Sequence, residues 1–277
     1  MKEITYIAPE SISEALKLLT KHKGKAVIFN GGTDVMIRLR ENLIQPDYVI
    51  DIKRIPGLKE ITFKKDGLHV GCCATMNEIA EHADVRKYYP YYAKACASVG
   101  SKQVRNRATC IGNIVNASPL ADSATPLYAM DAVLLIEGPE GKREVPVREF
   151  ITFVRKTVLA EDEIVLGVRV PYIKGAKGVY TKNSRRKEVD LSNVCATVVR
   201  TGDEYRIAFG SVAPTPKRLE KTEKLLNGKK ITPALIEKAK QTAVTEVAPI
   251  DDVRASKVYR LDIVQAIVEN SLLALGR

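Results

Sequence analysis

Two segments of the chain carry residue types whose spacing suits an anionic, hydroxyl-rich ligand. The first is Phe29-Asn30-Gly31-Gly32-Thr33-Asp34-Val35. Its adjacent glycines let consecutive backbone N–H groups turn towards one point, forming a small anion-binding concavity. Thr33 adds a hydroxyl donor, and Asp34 is placed to cap a helix that starts at Val35. An ordinary strand–turn–helix junction fits the same residues, so both readings stand. The second segment is Arg105-Asn-Arg-Ala-Thr109-Cys-Ile111-Gly112-Asn113-Ile-Val-Asn-Ala-Ser118-Pro119-Leu-Ala-Asp122-Ser123. Its hydroxyls, glycine and asparagines suit a diphosphate, while Asp122 suits a sugar hydroxyl. A surface Ω-loop is equally compatible with it.

Other chemistries lack their residues. No G-x-G-x-x-G is present at the glycine pair, and Gly138-Pro-Glu-Gly141-Lys142-Arg143 has neither the spacing nor the Ser/Thr of a phosphate P-loop. Cys72, Cys73, Cys96, Cys110 and Cys195 are odd in number and contain no C-x-x-C, so they read as buried thiols, not as zinc or iron–sulfur ligands. His22, His69 and His82 form no ligand or triad set, which leaves no catalytic or metal residue to assign. Tyr88-Tyr-Pro-Tyr-Tyr92 reads as packing rather than as a stacking platform.

The elements that must position the two segments follow from periodicity. Ser11-Ile-Ser-Glu14 is a capping box ahead of an amphipathic helix over roughly 12–21. Ala26–Phe29 and Tyr48–Ile52 read as strands, which makes the first fifty residues a β–α–β unit with the glycine pair at a strand end. Leu68–Cys72 is a strand, Thr75-Met-Asn-Glu78 caps a helix, and a further helix through Ala93–Ala97 closes at Gly100. Residues 101–131 lack periodicity and read as a long loop. A hairpin over 132–147, a strand over 163–170 stopped by Pro171 and a basic, Gly-bearing stretch over 175–186 follow. Two strands over 193–200 and 205–212 form a hairpin, and three helices over 217–226, 233–247 and 256–275 complete the chain.

With 277 residues, 45% of them hydrophobic, and a formal net charge of +11 from 44 basic and 33 acidic residues, the composition is globular and predicts two domains, 1–171 and 172–277. No apolar run is long enough for a membrane span or an export signal, so a cytoplasmic protein is expected. The basic excess suits an anionic cofactor, an acidic protein surface or a nucleic acid. Sparse aromatics and the lack of any nucleic-acid-binding signature make the last remote.

In this order and spacing, the two segments resemble the FAD-binding subunit of the molybdenum hydroxylases, the family of xanthine and CO dehydrogenases. That family carries a glycine-pair-Thr-Asp turn, then Arg-Asn-x-Ala-Thr-Ile-Gly-Gly-Asn followed by Ser-Pro-x-Ala-Asp. The similarity continues in Ile50-Asp-Ile-Lys-Arg-Ile-Pro-Gly-Leu58, Ile164-Val-Leu-Gly-Val-Arg-Val-Pro171 and Lys182-Asn-Ser-Arg-Arg186. It extends through Phe209-Gly-Ser-Val-Ala-Pro-Thr-Pro-Lys-Arg218 and Asp252-Val-Arg-Ala-Ser-Lys-Val-Tyr-Arg-Leu261.

The resemblance implies an α+β fold of the vanillyl-alcohol-oxidase/CO-dehydrogenase-flavoprotein type. An FAD-binding domain over 1–171, of two α+β subdomains split near residue 55, would be followed by a smaller α+β C-terminal domain. It implies that Phe29, Asn30, Gly31, Gly32, Thr33, Asp34 and Val35 hold the pyrophosphate side of FAD, and that Thr109, Ile111, Gly112, Asn113, Ser118 and Asp122 form a second wall. Leu166 would lie near the adenine and Lys182 near the isoalloxazine, where its charge would favour reduced anionic flavin. Partner subunits would hold molybdopterin and two [2Fe–2S] clusters, a dimer of heterotrimers being one assembly the family allows, and electrons would leave for NAD⁺ or another acceptor. Ala121-Asp-Ser-Ala-Thr-Pro126 leans towards purine hydroxylases, so xanthine or another N-heterocycle is the expected substrate of the complex. A free-standing FAD-dependent oxidoreductase is the alternative. One departure stands out: Ile111 replaces the first of the family's two glycines, and a β-branched residue disfavours positive φ and close phosphate approach.

Overall fold

The computed structural model describes residues 3–276. The first unit is a three-stranded parallel sheet of β1 (Thr5–Ile7), β2 (Ala26–Phe29) and β3 (Tyr48–Asp51), in the order β1-β3-β2, connected by α1 (Ile12–Lys21) and α2 (Val35–Arg40). Helix α1 starts because Ser11 Oγ accepts the Glu14 N–H at 3.2 Å, and it turns Ala15 and Leu19 inward. The predicted box is shifted by one residue, since the Glu14 carboxylate accepts the N–H of Glu10.

The second unit is built on an antiparallel sheet in the order β4-β5-β10-β6-β7. Its strands are β4 (Ile61–Lys64), β5 (Gly67–Gly71), β6 (Val133–Gly138), β7 (Gly141–Pro146) and β10 (Ile164–Pro171), with a small ribbon of β8 (Ile151–Phe153) and β9 (Lys156–Thr157). Between β5 and β6 run α3 (Met76–Glu81), α4 (Ala83–Tyr88), α5 (Pro90–Ala97), α6 (Lys102–Arg105), α7 (Cys110–Val115) and α8 (Ala124–Ala129), and α9 (Val147–Phe150) follows β7. Thr75 and Glu78 form the complete capping box that their spacing predicts. Pro171 closes β10 inside the sheet, because the ladder to β6 already ends at Arg169.

The stretch 101–131 is not a loop. It carries α6, α7 and α8, the first two opened by Ser101 and Thr109 accepting the N–H three residues on. The period of α8 is invisible in sequence because all six of its residues are buried, so no polar face alternates with an apolar one, while α6 buries no residue and is a single turn long. In the tyrosine cluster, Tyr89, Tyr91 and Tyr92 are buried and Tyr88 stacks on Phe63 at 4.4 Å, which makes it packing. His22 stacks on Tyr48, His69 bonds Asp66, and His82 joins α3 to α4. All five cysteines are free and buried.

The third unit is an antiparallel sheet of β11 (Lys177–Asn183), β12 (Val194–Thr201), β13 (Glu204–Gly210) and β14 (Lys217–Arg218), followed by α10 (Glu220–Leu226), α11 (Pro233–Thr245) and α12 (Lys257–Leu275). The basic stretch after Gly175 is thus a strand, and residues 217–218 are sheet where a helix was expected. Gly178 lets β11 lie against Tyr91, whose ring would stand 2.4 Å from a Cβ there. Strand β12 is buried on both faces: Val194, Ala196 and Val198 join the core under α10–α12, while Cys195 and Val199 join the core of the preceding units. Thr197 faces the same way and bonds Thr125 of α8 at 2.9 Å. Among the described residues, no helix is long and apolar enough to cross a membrane, and no group of three or more His, Cys, Asp or Glu side chains could hold a metal ion.

Candidate functional site

The turn after β2 and the start of α7 touch. A Cβ on Gly31 would stand 2.3 Å from the Arg107 carbonyl oxygen and 3.2 Å from the Ala108 Cα, so glycine is what permits the contact. Gly32 has φ +76°, and the Phe29 ring folds over it, 2.5 Å from where a Cβ would sit. Asn30 donates from Nδ2 to the Cys72 carbonyl at 2.5 Å, while its Oδ1 is buried without a partner among the described residues. Asp34 occupies the N-cap position of α2 but makes no side-chain cap bond and is exposed, so its anticipated capping role is not played; Thr33 beside it is half-buried.

Phe29 is held from behind. Lys53 Nζ lies 4.1 Å from its ring centroid and donates to Asp51 Oδ2 at 2.7 Å, and Tyr6 donates to the same oxygen at 2.6 Å. Burial alone would raise the Asp51 carboxyl, but the bonds from Lys53 and Tyr6 outweigh it and hold the group below the usual carboxylate range. The folded value therefore lies under the unfolded one. Its stabilisation is fully present above about pH 4 and fades as the pH falls through the folded value. Asp51→Asn should flatten the acid limb of the stability–pH profile; an acid limb as steep as the wild type's would contradict this.

In the second segment, Thr109 Oγ1 accepts the Gly112 N–H at 3.0 Å, and a Cβ at Gly112 would stand only 2.8 Å from that oxygen. The first N–H groups of α7 have no acceptor within the helix, as at any helix start. Ile111 lies in that first turn, is not among the positive-φ residues, and is 3% exposed within the main core. The concern raised by its branched side chain is thus met by its direction: it points into the protein, and the turn needs no left-handed residue there. Ile111→Val should cost about 0.5–1.5 kcal/mol of stability, read by chemical denaturation, and leave FAD affinity unchanged. A shift in affinity without a loss of stability would put the side chain in the binding site.

Asn113 accepts from Ser123 Oγ at 2.7 Å, tying α7 to the residue after Asp122. Ser118 follows the left-handed Ala117 and accepts the Leu120 N–H at 3.3 Å. Asp122 is 5% exposed, and its oxygens are taken up by the protein: Tyr180 donates to Oδ1 at 3.0 Å, Ser192 donates to the same oxygen, and Lys182 Nζ sits 2.8 Å from Oδ2. Lys182 also donates to the carbonyls of Ser98 and Asp190, both at 2.9 Å. Asp122, read as a partner for a sugar hydroxyl, and Lys182, read as a partner for a flavin, are therefore each other's partners here. Burial, reinforced by the Asp122 charge, pushes the Tyr180 phenol well above its ordinary range and keeps it a proton donor.

Leu166 occupies a bulge in β10, where the pairing with β6 slips between Val165 and Gly167, and its carbonyl accepts the Cys72 N–H at 2.9 Å. Leu166, Cys72 and Asn30 thus form one chain of contacts. Leu166 lines a shallow pocket of about 130 Å³ with Gly57, Thr62 and His69; a larger cavity of about 350 Å³ near Lys23 and Arg143 shares no residue with the predicted set.

Contacts join Asn30 to Cys72 and through it to Leu166, and Gly31 to Arg107 and Ala108 just ahead of Thr109–Asn113, while Ser123 links Asn113 to a second group of Ser118, Asp122 and Lys182. Tyr180 and Ser192 were missed. Tyr180 was findable, since a strand over 177–183 puts it on the same face as Lys182, whereas no local signal marks Ser192.

Residues 2–173 match the family described as FAD binding domain in molybdopterin dehydrogenase, and residues 179–275 match the CO dehydrogenase flavoprotein C-terminal domain. The chain is 32% identical to the putative xanthine dehydrogenase FAD-binding subunit of Escherichia coli (strain K12), over 96% of this chain and 93% of that one. It is 31% identical to the carbon monoxide dehydrogenase medium chain of Hydrogenophaga pseudoflava, over 97% and 96%. Among solved structures, carbon monoxide dehydrogenase from Hydrogenophaga pseudoflava superposes with a TM-score of 0.93 at 30% identity, covering 98% of this chain and 96% of that one. Quinoline 2-oxidoreductase from Pseudomonas putida 86 does so with a TM-score of 0.92 at 26% identity, covering 100% and 98%.

Proposed function

The chain belongs to the FAD-binding subunits of the molybdopterin-dependent dehydrogenases of xanthine and CO dehydrogenase type, and from that premise we propose that it is the electron-transfer subunit of a hydroxylase acting on xanthine or another N-heterocycle. In this reading a partner subunit binds molybdopterin and the substrate, a second partner holds [2Fe–2S] clusters, and NAD⁺ or another acceptor takes the electrons. FAD supplies the exchange between one-electron and two-electron chemistry. The division into domains at 1–171 and 172–277 is part of the same proposal.

The observation that carries it is the packing of the Asn30–Gly31 turn against Arg107–Ala108, beside the unpartnered acceptor Asn30 Oδ1. A buried acceptor without a donor is costly unless a ligand supplies one. A ligand rich in hydroxyls and amide N–H groups fits that need, and backbone N–H groups at the two turns fit its diphosphate. Phe29, Asn30, Gly31, Gly32, Thr33, Asp34 and Val35 would hold one side of FAD. Thr109, Gly112, Asn113 and Ser118 would hold the other, with Ile111 contributing backbone only, Leu166 and Lys182 flanking, and Asp122 ordering that wall through its bonds to Lys182, Tyr180 and Ser192. The surplus of the +11 charge is then available for docking acidic partner surfaces and an anionic acceptor.

Purified protein should carry, or take up on addition, the absorption spectrum of bound flavin. Co-purified with its partners, it should reduce NAD⁺ when given xanthine or hypoxanthine. A preparation that stays colourless with added FAD would overturn the cofactor assignment. A flavin-loaded complex inactive on every purine offered would overturn the substrate alone. Assembly that is equally tight at low and high salt would remove the docking role of the charge.

A further inference from the structure

Two stretches that the cofactor assignment leaves unused, 209–218 and 252–261, meet behind the segment that carries Ser118 and Asp122. Arg260, in the first turn of α12, is 2% exposed. Its Nη1 donates to the Asn193 carbonyl at 2.5 Å and to the Ser211 carbonyl at 3.0 Å, and its Nη2 lies 2.8 Å from Asp252 Oδ1. Ser211 has φ +67°, a conformation that L residues rarely adopt, and it persists only where neighbours hold it. The neighbours are named: its carbonyl is held by Arg260, and its N–H donates to the Pro119 carbonyl at 2.8 Å. Gly210 lets the same backbone press onto this region, since a Cβ there would stand 2.7 Å from Cys195 Sγ and 3.2 Å from Thr125 Cγ2.

We propose that Arg260 is a positioning residue for the cofactor. From α12 it fixes the Ser211 peptide, which fixes the Pro119 carbonyl and so the place of Ser118 and Asp122. The proposal rests on the assignment of Ser118 to FAD, with Asp122 ordering the same segment. It makes the C-terminal helix part of the cofactor site without touching the cofactor.

The test uses the full-length apoprotein titrated with FAD, read by flavin fluorescence and visible circular dichroism. Arg260→Met should weaken FAD binding about tenfold, the size expected when charge-assisted hydrogen bonds are lost, and should alter the circular dichroism of the flavin that does bind. Arg260→Lys, which keeps the charge beside Asp252, should recover part of the loss. Val268→Ala, in the same helix but facing the core under α10–α12, should lower the melting temperature and leave FAD affinity within about twofold. FAD affinity unchanged in Arg260→Met, or lost equally in Arg260→Met and Val268→Ala, would overturn the positioning role. Wild-type protein that takes up no FAD would overturn the assignment of the loops, and this role with it.

Discussion

Gly31→Ala protein should bind FAD about 100-fold more weakly than the wild type, a loss of about 2.8 kcal/mol when the displaced loop no longer presents its donors in place. The added methyl would stand 2.3 Å from the Arg107 carbonyl oxygen. That neighbour is backbone, not a side chain that can swing away, so one of the two loops must move. Because the φ of Gly31 is not positive, the effect is steric and does not come from a backbone conformation barred to alanine. Overpacking should also cost about 1–3 kcal/mol of stability. Fluorescence titration and thermal melting would report the two losses separately. A Gly31→Ala protein with wild-type affinity would mean that the two loops do not act as one site.

The second large effect is expected at Lys182. Lys182→Met leaves the Asp122 carboxylate 5% exposed, with Tyr180 and Ser192 as donors but no counter-charge. Breaking a buried ion pair from one side typically costs about 3–5 kcal/mol. Adding Asp122→Asn should return most of that loss, because an amide of the same shape needs no cation. Urea unfolding of the two single variants and the double variant gives the coupling directly, and a loss under about 1 kcal/mol in Lys182→Met would sink the argument. The flavin reduction potential offers an independent readout. It should fall in Lys182→Met, where a negative charge is left unopposed near the site, and return in the double variant, where the net charge is restored. A potential that does not move in Lys182→Met would place the pair too far from the flavin to matter.

Much of the fold is legible in the residues. Apolar spacing marks α1, and Ser11 and Thr75 mark helix starts that the structure places within a residue. The strand pair around Gly202 and the hairpin around Gly138–Gly141 follow from turn chemistry. The failures have two causes. Helix α8 is buried on every side, so the contrast between wet and dry faces that periodicity depends on is gone, whereas β11 and β14 are half-exposed stretches of mixed polarity whose strand pairing is set by partners distant in sequence.

The cofactor site divides along the same line. Composition and order along the chain marked two segments rich in glycine, hydroxyls and amides as suited to an anionic ligand, and the motif pattern pointed to the family. Local chemistry carries that information because N–H donors, caps and tight turns are built from neighbours in sequence. Tertiary structure alone decided that Gly31 abuts residue 107, that Ile111 faces the core, that Asp122 is matched to Lys182 from sixty residues away, and that Arg260 reaches the Ser211 peptide. Each depends on which surfaces of distant elements are buried against one another, a property of the whole packed chain that no window of sequence contains.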